Sequence, residues 1–185
     1  VAKRLTLDEV RATKNGKQLL KLRAGDRVVA AFTAPDGVDL VIVTSDGQAL
    51  RTPVDSVSVQ GRGAAGVAGM KLKGGAVVVG AAAILDGDAL ITVTDTGGVK
   101  ATPTSELESR GRGGIGVRVS KLADGSSILA AHVGPPIGLL AIMGTDEDPR
   151  KPDPVPVPLM LESTRRDLVS SASERQILAI GSARW

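Results

Sequence analysis

A repeat of fifty residues constrains the fold of this chain more than any other feature of its sequence. Residues 25–74 and 75–124 align without a gap and are identical at 19 of 50 positions. The best-kept part of each copy is rich in glycine and basic residues, at Gly61–Leu72 and again at Gly111–Leu122. A regular period of this length indicates a small structural unit that stacks against its own copies.

Partial copies flank the two clear ones. Gly16–Leu22 aligns with Gly66–Leu72, so the chain opens on the end of an earlier unit, and a third copy starts at Gly125. We therefore expect a single domain over residues 1–185. Its parts are a remnant or closing blade at 1–24, blades at 25–74 and 75–124, and a degenerate blade with a proline-rich tail at 125–185.

Each unit has the pattern of four short strands separated by turns. Tyrosine is absent and the aromatic residues are Phe32 and Trp185, so the core must consist of Val, Ile, Leu and Ala. This composition favours strands. The predicted strands are 27–32, 39–44, 48–52 and 70–72 in the first unit, and 76–81, 88–94, 98–102 and 117–122 in the second. The sequence therefore predicts an all-β, propeller-like array of about three to four four-stranded blades.

The third unit departs from this pattern. Pro135-Pro136 replaces the Asp-Gly turn, and a predicted strand follows at 139–143. Prolines then alternate through 151–158, which predicts an extended linker or an edge strand, because proline cannot donate to a sheet ladder. Residues 176–180 are predicted to form a strand that closes the array.

Positive charge is concentrated in a few places, although the net charge is only +3. Residues 61–73 and 109–121 contain arginine and lysine but no acid, and residues 1–24 carry seven basic residues against two acids. Local basic patches indicate a polyanionic partner. Ordinary solvated surface charge is the alternative that charge alone leaves open.

The sequence offers little for catalysis or metal binding. It has no cysteine and a single histidine, His132, which is predicted to be a packed or surface residue. The acidic run at 146–148 is predicted to be a solvated turn in preference to a cation site. No apolar run approaches the roughly 20 residues that span a bilayer, so we expect a cytoplasmic protein with no membrane partner.

The order of motifs resembles a known repeat. Gly47–Pro53, then Gly61–Val67, then Lys71-Leu72 is similar to the repeat of the C-terminal domain of the DNA gyrase A subunit and its topoisomerase IV counterpart. The resemblance covers roughly residues 16–144. It implies a β-pinwheel, whose propeller-like blades exchange strands, and a domain that binds and bends duplex DNA around a basic outer rim.

The resemblance also limits the expected activity. Gyrase carries the heptapeptide Gln-Arg-Arg-Gly-Gly-Lys-Gly for tight wrapping, and Gln60–Gly66 and Arg110–Gly116 each keep four of its seven positions. DNA bending without strong gyrase-style wrapping is therefore expected. Type II topoisomerases cleave DNA with a tyrosine, which this chain lacks, so we expect a non-catalytic domain. Magnesium and ATP are expected only in other domains and in the partner subunit.

Nine basic residues in or beside these motifs are the predicted DNA contacts: Arg51, Arg62, Lys71, Lys73, Lys100, Arg110, Arg112, Arg118 and Lys121. Glycines around them allow backbone N–H groups to approach phosphate closely. The same glycines serve backbone geometry first, and Arg51 and Lys71 have a second interpretation as solvated strand-edge charges.

The expected partners are double-stranded DNA, the rest of the A-type subunit and the B-type ATPase subunit, at the nucleoid. A small propeller that binds an acidic protein through the same loops is the alternative function. Its binding would not require a row of phosphates.

Overall fold

The computed structural model describes residues 1–11, 16 and 18–182, and its regular structure is almost entirely β. One short helix, α1 (Leu7–Arg11), and two 3₁₀ turns, Val54–Ser56 and Thr104–Glu106, accompany the strands. The strands are β1 (Asp39–Thr44), β2 (Gln48–Pro53), β3 (Val78–Ala83), β4 (Ala89–Thr94), β5 (Gly98–Pro103), β6 (Val117–Arg118), β7 (Ile128–Gly134), β8 (Leu139–Met143), β9 (Val157–Leu159), β10 (Ser171–Ala172) and β11 (Ile177–Ser182). The all-β prediction is confirmed.

The strands form three antiparallel sheets in the described part of the chain. Sheet 1 has the order β3-β1-β2-β6, sheet 2 has β10-β5-β4-β7, and sheet 3 has β11-β8-β9. In sheets 1 and 2, two consecutive strands of one repeat form a central hairpin. Glycines with positive φ at the hairpin turns, such as Gly47 (φ 78°) and Gly97 (φ 82°), allow these tight connections.

Neighbouring repeats exchange strands. β3 begins the second repeat but pairs with β1 of the first, with Leu40 opposite Ala83. β6 ends the second repeat and pairs with β2, with Ala49 opposite Val117. β7 and β10 complete sheet 2 in the same way, against β4 and β5. Each full sheet therefore takes its central hairpin from one repeat and its outer strands from later sequence, as a β-pinwheel requires.

This exchange explains the strand predictions that are wrong. Arg27–Phe32 lies outside any strand and is exposed. The first strand of a repeat pairs with the second strand of the repeat before it, and the described residues before Arg27 contain no such strand. Met70–Leu72 is also outside the strands, and the nearby pairing is a single bridge between Ala2 and Val67. The strand predicted at 117–122 shortens to β6.

The proline-rich stretch and the residues after it take part in the sheets. β9 pairs with β8 at the edge of sheet 3, with Ala141 opposite Val157, which confirms the edge-strand alternative. β11 pairs with the other side of β8, where Ile180 lies opposite Ala141. The strand predicted at 176–180 is therefore present as β11. β10 returns to sheet 2 and pairs with β5.

The core lies between the stacked sheets. All six residues of β4 are buried, because Leu90 packs towards sheet 1 while Ile91 and Val93 pack towards sheet 3. Each fully buried Leu or Ile contributes about 1.5–3 kcal/mol through the hydrophobic effect. The nearly continuous apolar runs at β1 and β4 reflect this burial on both faces. Within the described residues, no helix has the length and apolar character needed to cross a membrane.

Candidate nucleic-acid interface

The glycine-rich segments form two matching loops, one against the isolated bridges of Ala2 and Arg4 and the other on the outer edge of sheet 1. We call Gly61–Gly66 the first rim loop and Gly111–Gly116 the second. The second loop leaves the edge of β2 where the Arg110 N–H donates to the Arg51 carbonyl (2.9 Å), and it rejoins β2 at Val117. The first loop leaves where the Gln60 N–H donates to the Arg4 carbonyl (3.0 Å), and it rejoins at the Ala2–Val67 bridge.

Glycine is required where each loop rejoins its edge. Gly116 has φ 81°, and a Cβ there would overlap the carbonyl of Ala49. Gly66 has φ 88°, and its Cβ would lie 2.7 Å from the Ala2 carbonyl oxygen. Gly61 and Gly111, at the outer ends, have open space around them. The geometric role predicted for the glycines therefore applies to Gly66 and Gly116, where each loop rejoins the neighbouring chain. Gly61 and Gly111, at the start of each loop, leave open space beside the backbone.

The second rim loop is bonded to the chain that follows the first. The Lys71 N–H donates to the Gly114 carbonyl at 2.9 Å, and the Gly113 N–H donates to the Gly69 carbonyl at 2.6 Å. The Arg112 guanidinium also donates to the Ala68 carbonyl at 3.2 Å. These bonds join basic segments of successive repeats into one continuous edge, which we call the rim.

Five of the predicted contacts lie on this rim without a described partner. Among the residues that the structure describes, no hydrogen bond or ion pair engages the side chains of Arg62, Lys71, Lys73, Arg118 and Lys121, and all except half-buried Arg62 are exposed. Arg110 is exposed and forms an ion pair with exposed Glu108 at 2.8 Å. Arg112 is exposed and donates to the carbonyls of Ser56 (2.8 Å) and Ala68. Both arginines keep their charge at the surface.

Arg51 has a different role. Its Nε donates to Asp39 at 2.6 Å, and its Nη1 donates to the carbonyls of Thr104 (3.0 Å) and Leu107 (3.3 Å). These bonds tie the 3₁₀ turn of the second repeat to sheet 1. The side chain is half-buried and its Nε and Nη1 donors are engaged within the protein, so Arg51 stabilises the fold and these donors are not free for phosphate.

Lys100 lies inside the protein. Its ammonium donates to three carbonyls, those of Val119 (2.9 Å), Arg166 (2.7 Å) and Leu168 (3.1 Å), and the residue is only 3% exposed. Burial lowers the pKa of Lys100 to about 8, while the carboxylates of Asp167 and Glu106 oppose the shift. An ammonium enclosed in this way is not available to phosphate, so Lys100 is omitted from the proposed interface.

Lys3 occupies the corresponding place in the first rim loop. Its ammonium donates to the carbonyls of Leu19 (2.7 Å), Arg62 (2.6 Å) and Ala64 (2.8 Å). We call each set of three carbonyls a carbonyl cage. The fifty-residue period concealed this match, because Lys3 precedes its counterpart Leu50 by 47 residues. The match is visible only in the structure, through the parallel bridges that Arg4 forms with Val59 and Arg51 forms with Ser109.

The structure also shows the surroundings of the single histidine and of the acidic run. His132 is half-buried in β7, and burial lowers its pKa while Asp88 opposes the shift. The acidic run at 146–148 is an exposed bend in which Asp146 lies 3.8 Å from Arg175. Within the described ranges, no group of three metal-ligating side chains could hold an ion.

The family model for the DNA gyrase C-terminal domain, beta-propeller, matches residues 1–35, 39–84 and 88–134. These segments make up more than half of the chain. The chain belongs to the DNA gyrase C-terminal domain family. The family suggested by the glycine-rich repeat is thereby confirmed, and no curated protein sequence matches the chain.

Solved structures of this family share the fold. A DNA gyrase A C-terminal domain superimposes with TM-score 0.75 at 20% identity, covering 92% of this chain and 59% of that one. The E. coli ParC C-terminal domain gives TM-score 0.68 at 19% identity, covering 88% and 67%. A topoisomerase IV C-terminal domain gives 0.64 at 23%, covering 78% and 46%. This family member therefore spans about half to two thirds of these relatives.

Proposed function

We propose that this chain is a non-catalytic domain of a type IIA topoisomerase A-type subunit, which binds and bends duplex DNA along the rim. The observation that carries the proposal is the continuity of the rim. Backbone hydrogen bonds join the second rim loop to Gly69 and Lys71, so exposed cations of successive repeats follow one edge. A row of cations is complementary to a row of phosphates.

The interface is suited to binding without base recognition. Lysine and arginine neutralise phosphates, and the backbone N–H groups of exposed Gly61 and Gly111, which have no described backbone acceptor, add donors. A duplex that follows an edge formed by successive sheets must curve, so preference among sequences would come from bendability. Because both rim loops keep only part of the gyrase heptapeptide, we propose bending in preference to strong wrapping.

The proposal assigns the chemistry to other parts of the enzyme. This chain contains no tyrosine to attack DNA, so cleavage, magnesium and ATP belong to the remaining A-subunit domains and the B-type subunit. The domain would present bent duplex to that machinery in the cytoplasm, at the nucleoid.

Salt-dependent binding to a fluorescent linear duplex tests the proposal. Affinity should fall with salt with a log–log slope of about −0.9 per phosphate contacted, and end-labelled DNA should show shortened end-to-end distance. Lys71→Ala with Lys121→Ala should weaken binding and flatten the slope. Arg150→Ala with Lys151→Ala is the charge-matched control, because these exposed residues lie in the β8–β9 connection, which has no described hydrogen bond to a rim loop. Absence of duplex binding at about 50 mM salt, with retained binding of an acidic protein, would overturn the proposal in favour of a scaffold.

A further inference from the structure

A segment without glycine-rich sequence occupies the place of a rim loop on sheet 2. Ser163 forms a parallel bridge with Ala101, and the Thr164 N–H donates to the Ala101 carbonyl at 2.8 Å. The chain then bulges outward and rejoins the same edge as β10, where Ala172 lies opposite Gly98. The second rim loop leaves β2 at Arg51 and rejoins it as β6 in the same manner.

This segment also contacts the preceding repeat in the same way as the second rim loop does. The Arg166 guanidinium donates to the Arg118 carbonyl at 3.3 Å, as Arg112 donates to the Ala68 carbonyl, fifty residues earlier, at 3.2 Å. The Lys121 N–H donates to the Leu168 carbonyl at 3.2 Å. This bond corresponds to the one from Lys71 to Gly114 in the preceding repeat. Arg166 thus takes the position of Arg112.

The carbonyl cages of Lys100 and Lys3 provide independent evidence that this segment corresponds to a rim loop. Lys100 binds the carbonyls of Arg166 and Leu168, and Lys3 binds those of Arg62 and Ala64. In both cases the two carbonyls are two residues apart and the first belongs to an arginine. The backbone of 165–170 therefore follows the path of a rim loop, although its sequence contains no glycine.

On sheet 2 the glycine lies on the facing strand, at Gly98 of β5, and not in the loop. In the second rim loop, Gly116 allows the loop to approach the edge of β2 closely. The corresponding loop residue on sheet 2 is Ser170, and here β5 supplies the glycine. A Cβ on Gly98 would overlap the Ser170 hydroxyl. Ser170 lacks the positive φ of Gly116, and the absence of a side chain at Gly98 leaves room for the Ser170 side chain, so this loop rejoins the edge of β5 without a glycine of its own.

We propose that residues 165–170 form a third rim loop and that Arg165 and Arg166 bind backbone phosphates of the duplex. This inference rests on the proposed function. Arg165 is exposed and has no described side-chain partner, and Arg166 lies beside Arg118 on the rim. The bound duplex therefore continues past the second rim loop onto sheet 2. Asp167, which is exposed in the same loop, weakens that contact by repelling phosphate.

Duplex titrations over a range of salt test the third rim loop. Arg165→Ala with Arg166→Ala should weaken binding and make the log–log salt slope less negative by about one for each phosphate that the variant no longer neutralises. Arg150→Ala with Lys151→Ala removes the same charge from outside the rim and should leave the slope unchanged. Asp167→Asn should tighten binding. Arg165→Ala alone removes no described contact, so it tests the proposal even if the double variant folds poorly.

The outcomes separate the two proposals. A wild-type slope in both Arg165→Ala and the double variant, while Lys71→Ala with Lys121→Ala still flattens it, would overturn the third rim loop and leave the proposed function standing. Equal effects of the 165/166 and 150/151 pairs would overturn the third loop as well, since they would reflect net charge alone. Failure of the wild-type chain to bind duplex would instead remove the proposed function.

Discussion

The Lys100 ammonium donates to the carbonyl oxygen of Arg166 at 2.7 Å, across 66 residues of sequence. The contact fixes where the chain near β10 meets the edge of β5. Lys3 binds the Arg62 carbonyl in the corresponding way at 2.6 Å. In the repeat between them the corresponding residue is Leu50, whose Cδ1 lies 3.7 Å from a Cβ placed on Gly114. The protein therefore stabilises loops of one shape with a lysine ammonium twice, buried at Lys100 and half-buried at Lys3, and with an apolar side chain once.

Lys100→Met should destabilise the protein. The change removes the ammonium donor of the Val119 and Arg166 carbonyls, while the Leu168 carbonyl keeps the Lys121 N–H, and an unsatisfied buried polar group costs about 1–3 kcal/mol. Relief of the cost of burying the charge offsets part of this loss, so we expect about 1–3 kcal/mol in total from urea unfolding. Lys121→Met, at an exposed position, should stay within about 0.5 kcal/mol of wild type. A neutral effect of Lys100→Met would show that the cage does not stabilise the loop.

The same lysine predicts a dependence of stability on pH. The pKa of Lys100 is about 8 in the fold, below the value of about 10.4 in an unfolded chain. Between these values the unfolded state binds more protons, so the free energy of unfolding rises with pH by at most about 1.4 kcal/mol per pH unit from this group. The stability difference between wild type and Lys100→Met should therefore increase from pH 7.5 to about pH 10. A difference that is constant with pH would contradict the lowered pKa.

Gly116→Ala should destabilise the second rim loop far more than Gly111→Ala. Gly116 has φ 81° and its Cβ would overlap the Ala49 carbonyl, whereas Gly111 has open space. The left-handed conformation alone costs a non-glycine residue about 1–2 kcal/mol, and the overlap adds to it. Thermal unfolding followed by circular dichroism provides the measurement. Equal melting temperatures for the two variants would exclude a special role for Gly116.

Arg51→Ala should reduce stability without changing the salt dependence of DNA binding. It removes the ion pair with Asp39 and the donors to the Thr104 and Leu107 carbonyls, which together are worth about 1–3 kcal/mol at this half-buried site. Arg118→Ala, which removes an exposed rim cation, should show the reverse pattern. If Arg51→Ala flattened the salt slope as Arg118→Ala does, Arg51 would belong to the interface after all.

Sequence reasoning located the central hairpins well. β1 matches its predicted bounds, and β2, β4 and β5 each differ from theirs by one residue at one end, because apolar runs and the glycine-containing turns between them are local signals. The segment at 27–32 shares Val28, Val29 and Ala31 with its repeat counterpart, which forms β3, but among the described residues no strand pairs with it. A strand's existence depends on its partner, and the exchange of strands places that partner in another repeat.

For the candidate site too, the sequence predicts some features and only the tertiary structure decides the others. The fifty-residue period, the rim glycines and the clustering of basic residues follow from the chain itself, and they were sufficient to indicate the family. Nothing in that pattern distinguishes Lys100, enclosed by three carbonyls, from Lys121, exposed on the rim. Nor does it reveal that the glycine-free segment around Arg166 follows the path of a rim loop. Burial and backbone path depend on residues that different repeats bring together, so the assembled sheets alone determine which cations can reach a phosphate.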